Sequence, residues 1–214
     1  MAEAITVFYG ATTREDAQVV ALRRGAPLRL SDGPYPFAEP PDLIRLATTA
    51  ARLDFLREHL RSLCGLWAKP RLQFLDAYFA WIGATLAVAP AHRALTDAGH
   101  GLFAPEDWSF AALRPLPSVL LLAGTDTIRA DFAFWTGAGL VAVELPGERR
   151  AQRRGQLARL AASGVTVIEL VPADLADAAA LGAKLPAAFG EFWRGVALPH
   201  SPFGTRDLAI APAR

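Results

Sequence analysis

Cysteine and lysine are nearly missing from this chain of 214 residues. Its one cysteine, Cys64, excludes an intramolecular disulfide and any zinc site built from several thiolates, and makes the cytoplasm the expected compartment. Lys69 and Lys184 are the only lysines among 22 basic residues, so arginine carries almost all the positive charge. The formal net charge is +1, so a nucleic-acid partner has to be argued from local patches and not from the total. An apolar run long enough for a membrane is missing too. Residues 77–91 (AYFAWIGATLAVAPA) are uncharged over about fifteen positions where a span needs about twenty; they read as a buried core helix, and no membrane partner is expected. The start, MAEAITVFYG, lacks the basic and then apolar pattern of a secretory signal.

Several catalytic signatures are absent as well. His59, His92, His100 and His200 have no metal-ligand spacing and read as structural or surface residues. No Gly-x-Ser-x-Gly elbow occurs, which argues against a hydrolase triad, and there is no Gly-x-Gly-x-x-Gly or Walker lysine. A turn at residues 10–13, read as leading from a strand into a helix, leaves room for a phosphate at a helix start and for a small-molecule-binding α/β protein.

What is present is apolar and patterned. With 52% hydrophobic residues the chain can bury one sizeable core. The N-terminal region, residues 1–117, reads as mainly helical. After a strand at 5–9 and a capped helix from Thr12, a Pro/Gly-rich loop covers 31–41. A helix capped by Asp42 then runs to about Leu63, with Leu53, Leu56 and Leu60 at helical spacing, and a second helix covers about 70–98 with a break at Pro90. Residues 99–117 lack periodicity and read as a seam. From 118 to 214 the signals favour an α/β core: strands at 118–123, 127–135 and 140–145 form a meander, a helix at 148–162 and a strand at 165–171 follow, and a last helix opens at 172 and runs to about 184.

Residues 127–172 concentrate the chemistry. Strand alternation puts Asp131 on the face of Arg129 and Ala133, opposite an apolar face of Ile128, Ala130, Phe132 and Phe134, while Glu144 shares a face with Leu140 and Ala142. A carboxylate in such company needs a partner, a cation or an exposed strand end, and the plain alternative to a metal site is that Asp131 pairs with Arg129 or another arginine while Glu144 ends its strand. Strands lie about 4.8 Å apart, so acids at facing positions can chelate one hard cation such as Mg²⁺, which polarises a phosphoryl oxygen and acidifies a bound water. On the helix that follows, Arg149, Arg150, Arg153, Arg154 and Arg159 form a guanidinium-rich face suited to phosphates, the alternative being an ordinary solvated surface.

This order of strand-Asp, hairpin, strand-Glu, helix and strand resembles the PD-(D/E)XK superfamily, the restriction-endonuclease-like fold. The runs VAVELPG and RRGQLARLAASGVTVIELVPADL look like its short-patch-repair-endonuclease-like, DUF559-type branch. The resemblance covers residues 118–174. It implies metal-dependent phosphodiester hydrolysis of nucleic acid, with Mg²⁺ held by Asp131, Glu144 and the backbone carbonyl of Leu145. Arg150 would supply a catalytic cation, and Arg149, Arg153, Arg154 and Gln156 would contact the nucleic acid. One departure stands out: the lysine such nucleases carry two residues after the glutamate is Pro146 here. That leaves a catalytically inactive nuclease-fold module, binding nucleic acid or a protein partner, as the alternative.

Overall fold

The computed structural model describes residues 4–11, 13–32, 49–65, 68–88, 105–123, 126–147 and 150–191. They form a mixed α/β structure around a six-stranded sheet ordered β2-β1-β3-β4-β5-β6, with strands β1 (Ala4–Tyr9), β2 (Gln18–Arg23), β3 (Leu116–Ala123), β4 (Asp126–Trp135), β5 (Leu140–Glu144) and β6 (Thr166–Glu169). Neighbours are antiparallel except β5 and β6, which run parallel and are joined by helix α3 (Arg150–Ala162). A parallel pair needs such a crossover, because a tight turn can only reverse the chain.

The N-terminus departs from the helix expected after the first strand. Gly10 turns the chain at φ 82, Thr13 Oγ1 donates to Asp16 Oδ2 at 2.7 Å to hold a bend, and residues 18–23 return as β2 against β1. The polar Thr-Thr-Arg-Glu run resembles a helix cap, but the β-branched Val19 and Val20 that follow favour a strand. Residues 28–32 contribute one bridge, Arg29 to Leu113, and a 3₁₀ turn at Leu30–Asp32. Asp42, most of the 31–41 loop and the expected break at Pro90 lie outside the described residues.

Helix α1 (Thr49–Ser62) buries Leu56 and Leu60, and Gly65 beyond its end takes φ 86, as a helix stop requires. Helix α2 (Lys69–Val88) opens with Pro70, which suits a first turn, and buries Phe74, Leu75, Tyr78, Ile82 and Leu86. Its aromatic side packs on β4, with Phe74 4.6 Å from Phe132 and Tyr78 5.2 Å from Phe134 between ring centres. The aperiodic seam is itself core: Trp108 and Phe110 in the 3₁₀ turn Pro105–Ala111 are buried with these helices and with Val141 and Val143. Among the described residues no helix is long and apolar enough to cross a membrane.

The helix expected from 172 to 184 is cut in two by its own caps. Asp174 accepts from the Val171 N–H at 2.7 Å and closes the 3₁₀ turn Pro172–Leu175; Asp177 then accepts from the Ala180 N–H at 2.7 Å and starts α4 (Ala178–Lys184). Gly182 lets α4 lie against α2, since a Cβ there would come within 2.5 Å of Trp81 Nε1.

Candidate functional site

Asp131 and Glu144 occupy facing positions on β4 and β5, one step beyond the paired Phe132 and Val143. On the other side of β4 the ladder runs Pro117 to Phe132 and Val119 to Ala130, passing over Ser118 and Asp131. Ser118 has φ 50 and is the one described non-glycine residue in the left-handed region, a conformation that costs about 1–3 kcal/mol and tends to gather at functional sites. The apolar residues of β4 do not sort as the expected single face. Phe132 and Phe134 join the core under α2, whereas Ile128 and Ala130 join Ala133 and Trp135 in a second core that includes Leu157 and Leu160 of α3. The change falls at Asp131, opposite the distorted Ser118.

Both acids are buried, with 7% and 4% of their surface exposed. Arg71, from the first turn of α2, grips Asp131 Oδ1 through Nε at 3.1 Å and Nη2 at 2.9 Å, and its Nη1 donates to the Cys64 carbonyl. From α3, Arg153 Nη1 lies 3.1 Å from Asp131 Oδ2 and 2.6 Å from Glu144 Oε2, while its Nη2 donates to the Arg129 carbonyl. The Leu145 N–H completes the shell on Asp131 Oδ2 at 3.0 Å. Two carboxylate oxygens that touch one nitrogen are no more than about 6 Å apart, close enough for a shared cation. That shared cation is the guanidinium of Arg153.

Glu144 Oε1 is buried and has no hydrogen-bond partner. Burial, then the charge of Asp131, pushes the Glu144 carboxyl up to about 7, against the opposing pull of Arg153, the main chain at Asp131 and Arg71. Near neutral pH the cluster therefore holds one acid, Glu144, that titrates.

The donor set in this arrangement does not fit a divalent ion. Mg²⁺ wants about six oxygens in an octahedron. Asp131 spends both of its oxygens on N–H donors and Glu144 spends Oε2 on Arg153, which leaves Oε1 alone. Leu145, expected to offer its carbonyl, meets Asp131 through its N–H. Among the described residues no group of three or more His, Cys, Asp or Glu side chains is placed to hold a metal.

The remaining expected residues scatter. Arg149 and the Arg150 side chain lie outside the described residues, Arg154 is exposed, Gln156 is half-buried, and Arg153 is drawn into the carboxylate cluster. Trp135 is an anchor, its Nε1 donating to the Arg23 and Ala26 carbonyls at 2.9 Å each. The turn after β1 leads to no helix N-terminus, and the Gly10 N–H is taken by the Pro117 carbonyl at 2.8 Å. Sequence reasoning missed Arg71, sixty positions from its partner, where no spacing rule links the two.

No family model, curated protein or solved structure matches the chain.

Proposed function

We propose that this chain is a nuclease-like α/β module that binds nucleic acid without cutting it, with the Arg153 guanidinium standing where a catalytic cation would sit. The observation that carries this reading is the single Arg153 nitrogen within 3.1 Å of both Asp131 and Glu144. Support for the nuclease-like frame comes from the order meander, helix, parallel strand, with one carboxylate on each of two adjacent strands. Support for the loss of cleavage comes from Pro146, which stands where a motif lysine is expected, and from arginine itself, whose pKa above about 12 makes it a poor proton acceptor. Arg154, exposed on α3 next to Arg153, is a surface guanidinium that can meet a phosphate.

Fluorescence anisotropy with duplex and single-stranded oligonucleotides over a salt series tests binding, and incubation with Mg²⁺ or Mn²⁺ tests cleavage. The expected outcome is affinity that falls steeply with salt and no cleavage. A flat salt response would instead favour a protein partner. A second reading, a Mg²⁺-dependent endonuclease, is favoured by the unpartnered Glu144 Oε1, the oxygen open to a cation if Arg153 swings away. Cleavage that is lost in both Asp131→Ala and Glu144→Ala would establish it.

A further inference from the structure

Strand β2 ends the sheet, with β1 on its inner side. Among the described residues its outer edge meets only Ala26, which bridges back to Arg23 across the turn at Arg24 and Gly25. Pro27 follows and has no N–H to carry that pairing further. Residues 18–22 therefore present backbone N–H and C=O groups along an open edge. Their side chains do not guard it. Val19 is 59% exposed and Ala21 is exposed two positions on, both on the face they share with Thr6 and the half-buried Phe8. Between Gln18 and Arg23 the strand has neither a charge nor a proline, two of the devices that keep an edge from pairing. The opposite edge, β6, is four residues long, and such shortness is itself a protection.

The charges that flank this edge say which partner fits it. Glu15 and Asp16 precede β2, Arg23 ends it and Arg24 follows, and all four are exposed. Arg14, the cation at the acidic end, lays its guanidinium over the Phe8 ring at 4.3 Å. A second copy of the strand laid antiparallel brings the acidic start of each chain against the basic end of the other, whereas a parallel copy sets like charge on like charge. We propose that β2 is a homodimer contact, in which two copies of this chain pair antiparallel through their β2 edges about a twofold axis perpendicular to the sheet. The two sheets then become one, and Val19 and Ala21 of both copies meet on the same face. The contact is independent of the carboxylate cluster.

Sedimentation equilibrium of the full chain over a concentration series at low ionic strength tests it. The mass should rise from one chain to two and stop there, because a twofold contact uses up the β2 edge of both copies. Val19→Lys sets like charges beside the axis and should weaken dimerisation about tenfold or more. Glu15→Arg and Arg24→Glu should each stay monomeric where wild type dimerises, since each makes both ends of the strand alike in charge. An equimolar mixture of these two variants should form a dimer with one copy of each, which also shows that both are folded. If Val19→Lys does not fold, the mixing experiment decides. A wild-type chain that stays monomeric, a dimer unchanged in Val19→Lys, or no gain on mixing overturns the proposal, as does a mass that keeps growing past two chains.

Discussion

Arg153 and Arg114 are both drawn into this fold, but in opposite electrostatic settings. Arg153 meets both Asp131 and Glu144 and shares Asp131 with Arg71, so guanidiniums and carboxyls face one another inside one cluster. Arg114, more deeply buried, meets a carbonyl, a hydroxyl and a ring but no acid among the described residues. The difference teaches that a carboxylate pair does not by itself make a metal site, because a neighbouring guanidinium can fill the same place. It also teaches that a guanidinium can be buried against a carbonyl, a hydroxyl and an aromatic ring.

The sharpest way to break the comparison is to strip the first region of its central acid. Asp131→Ala removes the acceptor for Arg71, Arg153 and the Leu145 N–H together, and should destabilise the protein by about 3–5 kcal/mol in urea unfolding, nearer the lower figure because both arginines keep some contact with solvent. A loss below about 1 kcal/mol would mean that the cluster is not a structural unit.

Next comes pH. The Glu144 carboxyl has a folded-state pKa of about 7 against an ordinary 4.5, so its contribution to stability is complete below the lower value and is lost as pH rises through the upper one. Unfolding free energy should fall by about 1–3 kcal/mol across that window, and Glu144→Gln should flatten the fall. Equal pH profiles for the two proteins would contradict the assignment.

In the second region, Tyr9→Phe keeps the ring over Arg114 but removes the hydroxyl that accepts from Nη2. A buried donor left unsatisfied predicts a loss of about 1–3 kcal/mol. The smallest effect belongs to Arg154→Ala on the exposed side of α3. Folding should be unchanged, while the salt dependence of nucleic-acid binding drops by about one phosphate contact.

Much of the sheet could be read in advance because β3, β4 and β5 are continuous apolar or β-branched runs punctuated by glycine turns. The β1–β2 hairpin was not read correctly, since Thr13 and Asp16 make the same kind of local polar bond that begins a helix, and only pairing with β1 decides against it. Asp131 and Glu144 were legible as facing residues because strand alternation and register are local rules. Which arginines hold them was not legible, because Arg71 arrives from a helix sixty residues earlier, and competition between a metal and a guanidinium for one carboxylate pair is settled in three dimensions. Arg114 did leave a trace: a lone arginine within AALRPLPSVLLLA, a charge in a stretch otherwise fit for a core.

The central claim is that Arg153 occupies the cation position between Asp131 and Glu144. A Mn²⁺ titration of the wild-type chain followed by electron paramagnetic resonance tests it most directly, since bound and free Mn²⁺ give distinct signals. The account predicts no stoichiometric Mn²⁺ binding at neutral pH. One Mn²⁺ bound per chain, and lost in both Asp131→Ala and Glu144→Ala, would contradict it.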